Sequence, residues 1–179
     1  QAALWLRRGQ LASAQAALHG VRGADVADPM LDLQRRSLLA RLSQGQGDVA
    51  GAYDIVVEAA RKHASLSNPA PALLEARYAL ADICLRLHEQ GHAQARARGL
   101  AVCRETTKVL LSHARQAAFW RPRALLCEGR LLWLRGTTRD VQRAEVRFRQ
   151  ALQESERMAM PYDEGLAHMY LGLLGAFGG

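Results

Sequence analysis

Cysteine is scarce in this 179-residue chain, and lysine is scarcer still. The three cysteines, Cys84, Cys103 and Cys127, form no CxxC pair and fall in stretches that read as helix. An odd number of scattered thiols argues against a disulfide framework; such thiols are expected to act as small buried apolar groups in a reducing, cytoplasmic setting. Proline occurs five times and hydrophobic residues make up 49%, a balance that excludes a disordered chain. No apolar run approaches the ~20 residues that a membrane-crossing helix needs. No alternating run of β-branched residues is long enough for a strand, so the chain is expected to be all-α.

Also missing are the short motifs of catalysis. Gly20-Val-Arg-Gly23 and Gly45-Gln-Gly47 lack the Lys-Ser/Thr and the preceding strand of a phosphate loop, and no Gly-x-Ser-x-Gly elbow occurs. His88-Glu89-Gln90-Gly91-His92 satisfies the HExxH spacing of zinc peptidases. That motif works only when two histidines one helical turn apart share a helix face, and Gly91 is placed to end the helix between them. It reads as a polar turn. His19, His63, His113 and His168 are dispersed, and His168 is expected to be a packing residue on an apolar helix. No catalysis, cofactor or metal is expected.

Two lysines, Lys62 and Lys108, stand against 22 arginines, for a net charge of +7. Arginine dominance often reflects a GC-rich genome; read functionally, it points to an acidic partner. The charge is spread along the chain with no basic tail and no aromatic–basic motif, so nucleic acid is not the expected partner.

What the sequence does contain is a repeat. Gly9, Gly47, Gly91 and Gly136 each close an apolar helix and precede a second one, at separations of 38, 44 and 45 residues. A period in this range marks stacked helix pairs. Capping sequences at Asp28-Pro29 and Ser67-Asn68-Pro69, and restarts at Trp120-Arg121-Pro122 and Met160-Pro161, divide the chain into units of about 1–27, 28–66, 67–117, 118–160 and an incomplete 161–179. The expected helices end near Ser43, Ser65, Glu89, Ala117, Arg135 and Ala159. The one over 71–89 is apolar nearly all round, with Glu75, Asp82, Arg86 and Glu89 on a single narrow stripe, so it must be covered on most sides. Starting at Gln1 and ending partway through a helical unit, the sequence reads as one repeat domain cut from a longer chain, with Leu171 and Leu174 awaiting a covering helix.

The second helix of each pair carries small and bulky residues four and three apart: Ala144, Phe148 and Ala151; Ala52, Val56 and Ala59; Ala14 with Leu18. Small residues let helices approach closely, and the bulky one fills the gap. This spacing resembles the tetratricopeptide repeat, with Pro161 as its unit-ending proline. The period is longer than the ~34 residues usual there. Gly99, Cys103 and Thr106 stand where the third triad belongs, and the intact Trp–Leu–Gly–Tyr signature is missing. Residues 118–174 (Ala118-Phe-Trp-Arg-Pro, Gly129-Arg-Leu-Leu-Trp-Leu-Arg-Gly136, Met160-Pro-Tyr-Asp-Glu-Gly) are similar to a longer variant, the helical-repeat region of multidomain signalling proteins. Those include ATPase-linked class III adenylate cyclases and maltose-regulator-type transcription activators. The resemblance implies a right-handed α-solenoid of antiparallel helix pairs, acting as a non-catalytic regulatory scaffold that binds a protein or a neighbouring domain. Effector sensing by the superhelix, and a structural part in a large assembly, are the alternatives. Asp82, Arg86, Arg123 and Arg130 are the expected partner-binding residues, on the inner helices. Trp5, Trp120 and Trp133 are expected to fill gaps between units.

Overall fold

A computed structural model describes residues 2–19, 28–63, 71–89 and 95–177. Among them there is no strand. The helices are α1 (Ala2–Arg7), α2 (Leu11–His19), α3 (Pro29–Gly45), α4 (Val49–Lys62), α5 (Pro71–Glu89), α6 (Ala95–His113), α7 (Arg121–Arg135), α8 (Thr138–Arg157) and α9 (Pro161–Phe177), with a 3-10 turn at Ala118–Trp120 before α7. The all-α expectation is met.

Local chemistry sets the ends. Asp28 Oδ1 accepts from the Met30 amide at 2.8 Å and Asp48 Oδ1 from that of Gly51 at 2.9 Å, each satisfying a donor that the helix leaves without a partner. Gly9, Gly47 and Gly136 take φ of 70°, 79° and 71°, the left-handed region in which a side chain is strained. Three of the four turn glycines therefore have the backbone that a tight turn between helices uses; Gly91 lies outside the described residues, as do Ser67-Asn68-Pro69 and Gly20–Gly23. Helix α3 runs past Ser43 to Gly45. Helix α6 ends at His113 rather than near Ala117, because the Gln116 and Ala117 amides both turn back to the His113 carbonyl at 2.9 Å. Helix α8 stops at Arg157, short of Ala159, which has a φ of 51°.

The chain divides into two compact units, Gln1–Val102 and Cys103–Gly179, with the division inside α6. In the first, α1 packs on α2 and α3, and α3 packs on α4 and α5. Ala14 and Leu18 of α2 meet Ala2 and Leu42 in one core, with Trp5, Leu6 and Leu38 against it. The Ala52–Val56–Ala59 triad of α4 is fully buried. Helix α5 is buried nearly all round, and over 73–89 only Glu75, Asp82, Arg86, His88 and Glu89 reach solvent. That is the expected stripe, joined by His88.

In the second unit α7 packs on α8 and α9, and α8 on α9. Ala144, Phe148 and Ala151 are fully buried with Leu125, Leu126, Ala167, Tyr170 and Leu174. Phe148 lies against Gly129, where a Cβ would come within 2.5 Å of its ring, and stacks on Tyr170 at 5.2 Å. Leu174 is thus already in the core, and the large apolar side chains that α9 exposes are Tyr162 and Met169. Gly99, Cys103 and Thr106 of α6 keep the four-and-three spacing and are buried too. All three cysteines are buried, and none forms a disulfide.

Candidate functional site

Asp82 and Arg86 stand one turn apart on α5, with Arg86 Nε 3.0 Å from Asp82 Oδ2. The Arg86 side chain is 46% exposed and that of Asp82 13%, so the pair presents mainly its guanidinium to solvent. Glu75 and Glu89 lie on the same stripe. An exposed pair of this kind adds little stability, on the order of 0.5 kcal/mol.

Arg123 and Arg130 belong to the second unit and are committed inside it. Arg123 Nε contacts Asp163 Oδ1 at 3.2 Å, and its guanidinium lies 5.1 Å from the Trp120 ring centre. Asp163 is 1% exposed, in the first turn of α9, where the positive helix end also favours a carboxylate. Arg130 is 3% exposed and lies 5.2 Å from the Tyr170 ring centre, a cation–π contact. Both therefore join α7 to its surroundings, Arg130 with no surface to offer a partner. Arg121, Glu128 and Arg135 of α7 each have an ion pair to α8: Glu154 at 3.2 Å, Arg147 at 2.8 Å and Asp140 at 3.5 Å. Trp120 is buried.

One assembly has no counterpart in the sequence reading. Asp32, at the start of α3, is 5% exposed and receives three donors on Oδ2: Lys62 Nζ at 2.8 Å, His63 Nε2 at 2.9 Å and Arg36 Nε at 3.0 Å. A carboxylate only accepts, so the His63 ring carries its proton on Nε2 for this bond. Arg36 also reaches Glu58 at 3.0 Å, and Arg77 of α5 donates to the His63 carbonyl at 3.1 Å. Burial alone would raise the Asp32 carboxyl. The hydrogen bonds from Lys62, Arg36 and His63, with the charge of Arg36, outweigh it and hold the group at about 2. The same contacts raise Arg36 against its own burial, whereas burial lowers Arg77. The His–carboxylate pair has the outline of a catalytic dyad. With His63 at 3% exposure and the same oxygen also taken by the side chains of Lys62 and Arg36, its work is to tie α3 to α4. Sequence reasoning missed it because Asp32 and His63 are 31 residues apart with no shared motif.

Two smaller features lie elsewhere in the fold. Leu6, Gly9, Leu11, Arg41 and Gly45 line a cavity of about 330 Å³ in the first unit. Glu156, Glu164 and His168 converge where α8 meets α9, one ligand atom from each lying within 4.8 Å of the others. His168 is exposed there, not packed as its helix pattern suggests. Of the HExxH stretch, His88 and Glu89 close α5, while Gln90, Gly91 and His92 lie outside the described residues. No protein-family model matches this chain. No curated protein and no solved structure matches it either.

Proposed function

We propose that the chain is a non-catalytic helical-repeat scaffold, a stretch of right-handed α-solenoid that binds a protein or a neighbouring domain within a larger regulatory protein. The observation that carries this reading is the exposure pattern of α5. A 19-residue helix buried on nearly every side keeps one charged stripe open. The packing order supports the repeat: α1 touches α3, α3 touches α5, and α7 touches α9, so alternate helices stack within each unit. On this reading Asp82 and Arg86 meet charged groups of an extended segment, and Arg123 and Arg130 stabilise the second unit from within.

The test is capture of a partner by the full chain and by an Asp82→Arg/Arg86→Glu variant. The exchange retains an opposite-charge pair one turn apart while inverting what a partner meets. A partner held by the wild type and released by the variant, at unchanged helicity, supports the stripe. Equal capture by both would remove it. Reversal of Arg123 or Arg130 is expected to lower stability instead, since each leaves a buried group without its counterpart.

The cavity between Leu6, Leu11 and Arg41 favours effector sensing as a second reading. Two leucines beside one guanidinium suit a small apolar anion, such as a medium-chain carboxylate. Such a compound should raise the melting temperature of the wild type and leave an Arg41→Ala variant unmoved; equal shifts, or none, would dismiss it.

A further inference from the structure

We propose that the α8–α9 hairpin binds a divalent transition-metal ion of the zinc class through Glu156, Glu164 and His168. Glu164 lies in the first turn of α9 and His168 one turn further on, so the helix puts both on one face. Glu156, in the last turn of α8, faces them across the hairpin turn. The three ligand atoms lie within 4.8 Å of one another. Ligand atoms around a tetrahedral zinc sit about 3.4 Å apart, from bond lengths near 2.0–2.1 Å, so small side-chain rotations close the set.

The charge pattern of the unit gives independent support. Among the described residues of 103–177, Glu105, Glu128, Asp140, Glu145, Glu154 and Asp163 each have an ion pair with arginine or lysine. Glu156 and Glu164 do not, although the unit is rich in arginine and the two carboxylates stand beside each other. The adjacent Arg157 gives its Nη2 and Nε to Glu154, at 2.7 and 3.1 Å. Two carboxylates brought together without a cation repel one another, and a bound dication removes that cost.

The donor set selects the metal. Calcium and magnesium take six or more oxygen ligands, whereas an imidazole beside two carboxylates suits zinc, cobalt or nickel. The exposed position leaves further coordination places to water. A bound ion would therefore clip the start of α9 to the end of α8 and exchange with solvent.

The experiment is titration of the full metal-free chain with Zn²⁺ by calorimetry, and with Co²⁺ by visible absorption. His168→Ala and Glu164→Gln are the test variants. One ion per chain is expected, with Mg²⁺ unable to compete, a raised melting temperature in saturating Zn²⁺, and affinity reduced by about tenfold or more in each variant. Glu156 and His168 are exposed and Glu164 is half-buried, and neither carboxylate has an ion pair to lose, so both variants should match the wild-type melting temperature without metal. Should His168→Ala unfold, a Glu156→Gln/Glu164→Gln variant gives the same readings. Absence of saturable Zn²⁺ binding would overturn the proposal, as would binding unchanged in the variants.

Discussion

At the scale of single residues, the tightest fit is Gly129 against Phe148. The ring is fully buried and stacked on Tyr170, so it has no free direction in which to yield to a methyl group set 2.5 Å from it. Gly129→Ala should therefore destabilise the chain, by about 1–3 kcal/mol, although alanine is the better helix former by about 1 kcal/mol. Overpacking wins because interiors this dense do not absorb an extra carbon. If the cost comes from the ring, Phe148→Leu should relieve part of it. The double variant would then lose less than the sum of the two single changes in a thermal or denaturant melt. Strict additivity would place the strain elsewhere.

At the scale of helices, much was legible in the sequence. The bounds of α5 agree with expectation, since a proline opens it and an uninterrupted apolar pattern carries it to Glu89. The small–bulky–small spacing located the buried faces of α2, α4 and α8, because a helix must turn such residues to a neighbour. Even α6, where Cys103 stands in place of the bulky residue, buries the residues at that spacing. Helix ends were less legible: α6 stops when its last carbonyls are taken by the Ala114–Gln116 turn, which no glycine or proline announces. Least legible were side-chain partners between helices. Arg123 and Arg130 read as surface charges because inner-helix polar residues usually are. Their actual neighbours, Asp163 and Tyr170, lie 40 residues away from each in sequence, and nothing local indicates them. The metal ligands escaped for the same reason: Glu156 belongs to a different helix from Glu164 and His168.

At the scale of the molecule, charge pairing makes stability depend on pH through Asp32. Its carboxyl ionises near 4 in an unfolded chain and at about 2 in the fold. The fold therefore binds this proton more weakly than the unfolded chain does, and the carboxylate stabilises it. The contribution, on the order of 2 kcal/mol, is complete above pH ~4 and is lost as pH falls toward ~2. Other carboxylates titrate over the same range, so the difference between wild type and Asp32→Asn isolates this group. At neutral pH the variant should be less stable by about 3 kcal/mol, because Lys62, Arg36 and His63 keep their positions without an anion. As the wild-type carboxyl becomes protonated, the two chains come to carry equally neutral groups at this position. Their melting temperatures should approach one another between pH 4 and 2. A gap that stays constant through that window would mean that shape at position 32, rather than charge, holds α3 to α4.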